Sequence, residues 1–156
     1  MCSIAGMINL NGDSIKNARR RLEVMNQLQV HRGPDGHGIW LSEKEDVGFA
    51  HNRLSIIGLE NGSQPMQDEG GNWICFNGEI YNYIELQKEI GCPNRTGSDT
   101  EVILYAYRKW GEKCVEHLEG MFAFALWDAE KRTLFCARDC FGIKPFYYTV
   151  VDGIFY

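Results

Sequence analysis

The segment from Met121 to Trp127 constrains the fold more than any other part of this sequence. Phe122, Phe124 and Leu126 alternate there with two alanines, so both faces of a strand in this position would be apolar. A strand with two apolar faces has to be covered on both sides, which predicts an inner layer of a layered domain. The run is seven residues long. A membrane-spanning helix needs about 20 residues, so we expect no membrane partner.

Composition narrows the class of protein further. The chain has 156 residues and a formal net charge of −5, which suits one domain and disfavours a nucleic-acid partner. With 44% hydrophobic and 24% charged residues, disorder is also disfavoured. The six cysteines form no CxxC pair, and no basic secretory leader precedes them. We therefore expect reduced thiols, no metal site and a cytoplasmic location.

Local patterns predict a mixture of helices and strands. Apolar residues at helical spacing predict a helix over 15–29 and another after Asn82, and Ser98-Asp99-Thr100-Glu101 has the form of a capping box at the start of a third. Alternation predicts further strands at 3–10, 38–41, 47–51, 72–76, 133–137 and 146–151. This order of elements favours an α+β domain with mostly antiparallel strands.

Two short segments are expected to be irregular. Residues 31–38 contain three glycines and a proline, a density that argues against both helix and strand. Asn77-Gly78 is a common turn sequence, so we expect a turn there after the strand 72–76. Asp152-Gly153 predicts a hairpin near the C-terminus, and the few residues after it lead us to expect that the natural chain continues.

Cys2 is the strongest candidate for chemistry. Removal of Met1 would leave a thiol and a free α-amine on the same residue. Cysteine thiols and α-amines have ordinary pKa values of about 8.5 and about 7.7–8.0, so a proton moves easily between them and the nucleophile would carry its own base. The alternative is that Cys2 is simply a small buried apolar residue.

Other residues suit the handling of an amino acid. Asn77 and Gly78 could donate a side-chain amide and an unhindered backbone N–H to a developing oxyanion. Arg53 stands in a strand-like stretch and suits a carboxylate, which a structural acid or a small ligand could supply. Asp99 either stabilises a helix N-terminus or, together with Arg53, holds the two charged groups of an α-amino acid.

Taken together, these motifs resemble the class II glutamine amidotransferase domain, most closely that of glutamine-dependent asparagine synthases. The matching segments are MCSIAG at 1–6, HRGPDG at 31–36, RLSI at 53–56, GSQPM at 62–66, NGEIYN at 77–82, GSDTE at 97–101, GMFAF at 120–124, RD at 138–139 and GIKP at 142–145. Any one of them could be chance, but the set occurs in the order found in the family.

The resemblance implies an N-terminal-nucleophile fold, a four-layer αββα sandwich of two mostly antiparallel sheets. It implies that processed Cys2 attacks the side-chain amide of L-glutamine and that Asn77 and Gly78 form the oxyanion hole. The residues implied to bind glutamine are Arg53, Ile56, Glu79 and Asp99. The domain itself would need no cofactor.

The same resemblance defines what this chain lacks. Asparagine synthases carry a synthetase domain that binds ATP, magnesium and aspartate, and residues 1–156 contain no phosphate-binding motif. We therefore expect a glutaminase domain, incomplete at its C-terminus, that supplies ammonia to an acceptor domain in cis or in trans. A homodimer is a further expectation. The alternatives are an amidotransferase that serves another acceptor, and a truncated, non-catalytic module of the same fold.

Overall fold

Two antiparallel sheets form the centre of the computed structural model, which describes residues 1–55, 62–93 and 95–156. The first sheet contains, in spatial order, β2 (Gly36–Leu41), β3 (Val47–Arg53), β1 (Ser3–Asn9), β9 (Ile154–Phe155) and β8 (Val150–Val151). The second contains β4 (Met66–Gln67), β5 (Trp73–Ile80), β6 (Gly120–Asp128) and β7 (Thr133–Arg138). The helices are α1 (Ala18–Leu28), α2 (Tyr83–Ile90) and α3 (Asp99–Trp110), with 3₁₀ turns at Val30–Arg32 and Gly111–His117.

The helices cover the outer faces of the two sheets. Leu22 of α1 packs with Met7 and Ala50 on the first sheet, and α2 and α3 pack on the second sheet around side chains such as Ile103 and Phe124. The predicted four-layer αββα arrangement is therefore confirmed. None of the helices among the described residues is long and apolar enough to cross a membrane.

Strand β6 is the inner strand that the sequence predicts. It lies between β5 and β7, and Phe124 and Leu126 are completely buried beneath the helices. On its opposite face, Ala125 and Trp127 pack against the first sheet. The alternation of large and small apolar residues therefore reflects two different neighbours, one helical layer and one sheet.

The turn predicted at Asn77-Gly78 is wrong. Strand β5 continues through both residues, and they pair with Ala123 and Phe122 of β6. The turn statistics of Asn-Gly are local, whereas this strand is set by eight consecutive pairings to β6. The consequence is that both residues lie on a rigid strand and not at a loop tip.

The irregular segment predicted at 31–38 is also shorter than expected. A 3₁₀ turn ends at Arg32, and β2 already begins at Gly36. Gly38 is tolerated in this strand because the backbone packs closely there: a Cβ at that position would lie 2.0 Å from the Gln64 carbonyl oxygen. Glycine here serves close approach and does not break the strand.

Two predicted boundaries are corrected as well. The helix expected from residue 15 starts at Ala18, because Asn17 has a left-handed backbone with φ of 56°. The strand expected over 146–151 is limited to Val150–Val151, because only these residues and the adjoining Thr149 pair with the end of the chain. The hairpin through Asp152-Gly153 is confirmed.

The helix start at Ser98 is confirmed, but its capping box is incomplete. The Ser98 hydroxyl accepts a hydrogen bond from the Thr100 amide at 3.2 Å and so caps α3. Glu101, instead of returning to Ser98, accepts hydrogen bonds from the amide and hydroxyl of Thr96. The Glu101 side chain therefore fixes the loop before the helix, and Ser98 alone provides the side-chain cap.

We predict that Leu22→Ala lowers the free energy of unfolding by about 2–5 kcal/mol, because the lost side chain leaves a cavity beneath the first sheet. Urea denaturation monitored by circular dichroism measures this change. Leu28→Ala in the same helix is the control, since Leu28 is 71% exposed. Equal losses in the two variants would contradict the packing of α1 described above.

Candidate active site

The predicted site residues meet at one end of the sandwich. Cys2 precedes β1, Arg53 ends β3, Asn77 to Glu79 lie in β5, and Asp99 opens α3. All of these residues, Gly78 included, line one cavity. Ile56 lies outside the described residues.

Register in the first sheet places the Cys2 thiol. Ser3 pairs with Asn52 across β1 and β3, so the preceding Cys2 lies beside the residues that follow β3. Its Sγ atom accepts a hydrogen bond from the Leu54 amide at 3.3 Å and lies 3.5 Å from the Leu54 carbonyl oxygen. The Cys2 carbonyl accepts a hydrogen bond from Arg32 Nε at 3.2 Å. The nucleophile candidate is thus partly buried, with its thiol held by the Leu54 backbone and its carbonyl by the Arg32 side chain.

The Gly78 amide points into the cavity because of the way β5 is hydrogen-bonded. The Phe76 amide donates to Gln64 Oε1 at 2.6 Å, and the Ile80 amide donates to Asp99 Oδ2 at 3.0 Å. Amides two residues apart in a strand face the same side, so the Gly78 N–H faces this edge as well. In the part of the chain that the structure describes, this amide has no acceptor. It is therefore available to a ligand.

Gly78 is also the residue type that this position requires. A Cβ atom there would lie 2.3 Å from the Met121 carbonyl oxygen and 2.7 Å from Phe122 Cα. Both atoms belong to the backbone of β6, which cannot move without disturbing the sheet. The missing side chain thus lets the strands pack closely.

The Asn77 side chain lies between the two sheets, on the face of β5 opposite to the one that α2 and α3 cover. Asn77 is buried, and both Asn77 and Cys2 line the cavity described above and a second cavity between the sheets. The Asn77 amide and the Gly78 N–H therefore border the same space as the Cys2 thiol. Two donors beside a nucleophile are what stabilisation of an oxyanion needs.

Two acids lie at the α3 side of the cavity. Asp99 is only 5% exposed. Burial raises the pKa of its carboxyl, the hydrogen bond from the Ile80 amide opposes the rise, and the nearby Glu79 adds to it. Two close carboxylates in a partly closed cavity favour a cationic ligand, because a cation would relieve their mutual repulsion.

Arg53 brings positive charge to the same cavity. Beside it on β3, His51 is buried, and its Nε2 donates to the Phe76 carbonyl at 3.1 Å. Burial and, to a lesser extent, the Arg53 charge lower the pKa of His51 to about 4, although the hydrogen bond to Phe76 opposes this shift. His51 is consequently neutral at physiological pH, and it links the two sheets just before the Asn77 position.

Our candidate residues did not include several lining residues. Gln64 holds β5 through Phe76 and donates to Thr100 Oγ1 at 3.2 Å, Leu54 flanks the thiol, and Lys144 reaches the cavity from a distant loop. Gln64 and Lys144 lie in the segments 62–66 and 142–145 that we matched to the family. That match was the available signal, since neither residue stands out by its local sequence.

Comparison with known proteins identifies relatives over the whole chain. A family model described as a glutamine amidotransferase domain matches residues 1–156. The chain is 46% identical over 161 aligned residues to asparagine synthetase [glutamine-hydrolyzing] 1 of Bacillus subtilis, with 100% of this chain and 25% of the relative covered. It is 41% identical over 150 residues to asparagine synthetase B [glutamine-hydrolyzing] of Escherichia coli, with 94% and 26% covered.

A solved structure gives the same fold. The glutamine phosphoribosylpyrophosphate amidotransferase of B. subtilis, complexed with ADP and GMP, superposes with a TM-score of 0.78 at 20% identity. The match covers 99% of this chain and 41% of that one. The chain spans about a quarter of the length of the two synthetases. Within the described residues, no group of three or more His, Cys, Asp or Glu side chains is placed to hold a metal ion.

We predict that Asp99→Asn does not lower stability at pH 7. A raised carboxyl pKa means that the folded state binds more protons than the unfolded state, so Asp99 opposes folding once the pH exceeds its ordinary pKa. The asparagine oxygen can still accept the Ile80 hydrogen bond. Urea denaturation at pH 7 and at pH 4 should show an advantage of the variant that is larger at pH 7. The comparison is the stability of the variant minus that of wild type at each pH. A difference that is less favourable to the variant at pH 7 than at pH 4 would contradict this account.

Proposed function

Because the chain belongs to the glutamine amidotransferase domain family, we propose that it hydrolyses the side-chain amide of L-glutamine through a thioester on Cys2. One observation carries the proposal. Residues from four separate segments, which include a thiol, two oxyanion donors and groups of both charges, line a single cavity. These are the parts that acyl transfer from an amino-acid amide needs.

The first half-reaction forms the thioester. With Met1 removed, the Cys2 α-amine takes the thiol proton, and the thiolate attacks the amide carbon of glutamine. The Asn77 side-chain amide and the Gly78 N–H donate to the oxygen that becomes negative, and they sit on a strand that cannot relax away from it. The amine then returns its proton to the leaving nitrogen, which departs as ammonia.

The second half-reaction restores the enzyme. The same amine takes a proton from a water molecule as that water attacks the thioester carbonyl. The oxyanion uses the same two donors, the carbon–sulfur bond breaks, and the Cys2 sulfur leaves and is reprotonated. The products are glutamate and the free N-terminal cysteine, so atoms and protons balance over the cycle.

Charge arrangement supports binding of the amino-acid end of glutamine. Arg53 carries the planar fork that matches an α-carboxylate, while Asp99 and Glu79 offer two carboxylates to the α-ammonium. An ammonium group between Asp99 and Glu79 would relieve the repulsion between their carboxylates, whereas a carboxylate there would increase it. A contribution from Ile56 to glutamine binding stays a prediction.

The names of the relatives support an acceptor for the ammonia. Both synthetases are described as glutamine-hydrolysing asparagine synthetases, so we infer an asparagine-synthase-type reaction on a synthetase domain in cis or in trans. ATP and magnesium would belong to that domain, and the glutaminase half needs no cofactor. The six free thiols fit a cytoplasmic location. A homodimer stays a prediction.

We predict that 6-diazo-5-oxo-norleucine, an electrophilic mimic of glutamine, adds once to the processed protein and that Cys2→Ala abolishes this adduct. Intact mass and peptide mapping measure both results. Cys140→Ala is the matched control, since Cys140 is an exposed free thiol, and it should label like wild type. An extra residue left before Cys2 should also prevent labelling, because it removes the free amine. Labelling that survives both Cys2 changes would refute the proposal.

We further predict that Asn77→Ala lowers kcat for glutamine hydrolysis about 10²–10³-fold, with a much smaller change in KM, because the donor acts on charge that develops in the transition state. Glutamate release by a coupled assay gives both constants. Asn11→Ala, at an exposed position, should leave them unchanged. A change confined to KM would assign Asn77 to ground-state binding instead.

A further inference from the structure

A buried lysine faces the cavity from a loop that the mechanism above does not use. Lys144 is only 5% exposed and lines the same cavity as Cys2. Its Nζ atom lies 3.1 Å from Met1 Sδ. In the described part of the chain, the ammonium has no carboxylate partner, and a thioether sulfur is a weak acceptor.

Hydrogen bonds hold the backbone of this loop in place at Lys144. The buried Asp139 carboxylate accepts hydrogen bonds from the amides of Phe122, Ile143 and Lys144, at 3.2, 2.9 and 3.0 Å. Arg138 Nε donates to the Lys144 carbonyl at 2.6 Å. These bonds tie the loop to β6 and β7, so the position of Lys144 is fixed by the second sheet.

Burial of an unpaired ammonium costs free energy. A lysine with a flexible stem could normally avoid this cost by extending its charge into solvent. The anchored loop instead brings the charge to the cavity, beside the residue that precedes the nucleophile. This placement indicates that the charge itself is used in the site.

We propose that Lys144 is a positioning residue of the glutaminase site, whose positive charge disfavours protonation of the Cys2 α-amine. The proposal rests on the function proposed above. Met1 is bonded to Cys2, so its removal leaves the Lys144 ammonium and the new N-terminus in the same cavity. Like charges disfavour each other, and the amine is therefore kept in the neutral form that can accept the thiol proton.

Other charged groups around Cys2 have separate partners or roles. The Arg32 guanidinium donates to the Cys2 carbonyl, and Arg53 is assigned above to the substrate carboxylate. Glu79 and Asp99 oppose the effect of Lys144 in the free enzyme, because negative charge favours a protonated amine. Lys144 therefore adds to the positive charge of Arg32 and Arg53, and it is the buried member of this set that is not assigned to the Cys2 carbonyl or to the substrate.

Three further titratable groups near Cys2 are neutral at physiological pH. His51 has its pKa lowered to about 4 by burial. Burial raises the pKa of the Cys75 thiol, and it raises the pKa of Cys136 to about 11. None of these three groups supplies charge to the Cys2 amine, so they do not account for a shift in its protonation.

The test is the pH dependence of kcat/KM for ammonia release from glutamine, measured on processed protein. The acid limb reports the essential base of the free enzyme. We expect Lys144→Met and Lys144→Gln to move that limb to higher pH by about one unit, while Lys144→Arg restores it. Lys88→Met removes the same charge from an exposed position on α2 and should leave the profile of wild type.

The outcomes separate the two proposals. Suppose that wild type is active and that Lys144→Met and Lys144→Gln melt at the same temperature as wild type. If the acid limb is then unchanged in both variants, the role of Lys144 alone is overturned. An arginine variant that shifts as far as the neutral variants overturns it too, since the effect would then be one of shape. A wild type that neither releases ammonia nor takes the 6-diazo-5-oxo-norleucine adduct overturns the proposed function and this inference with it.

Discussion

The packing of the two sheets against each other is the interaction on which the site depends. Phe49 on β3 and Trp127 on β6 are almost fully buried in the core between the sheets, together with Cys75. Once these faces meet, the start of β1, the end of β3 and the last residues of β5 come to the same end of the sandwich. The nucleophile candidate and the proposed oxyanion donors belong to different sheets, so their spacing is a property of this core.

The edge of β5 supplies the second element of the site. Strand β4 is short and pairs only with Trp73 and Ile74, so the later amides of β5 need other partners. Side chains of Gln64 and Asp99 take two of them, and the Gly78 amide between them is left to the cavity. A sheet edge that would otherwise favour association with another strand is thereby occupied by side chains and by the candidate site.

The sequence predicts those features that depend on local pattern. The covered strand at Met121–Trp127 and the helix start at Ser98 are correct because alternation and capping act over a few residues. The turn at Asn77-Gly78 fails because pairing with β6, some forty residues later in the chain, outweighs a dipeptide preference. Lys144 is not among the predicted site residues, because its contact is with a residue 143 positions away. Rules based on sequence spacing apply only to residues that are close in the chain.

The position of β1 has a consequence for how the chain folds. On one side it pairs with β3, and on the other Ile8 pairs with Phe155. Strand β1 therefore gains its second neighbour from a strand that follows it by 147 positions, counted from Ile8 to Phe155. Such distant pairing slows folding, because loop-closure entropy is lost before the contacts form. Until β9 pairs, the edge of β1 at Ile8 and Asn9 stays open, so the first sheet is completed only when the distant hairpin docks.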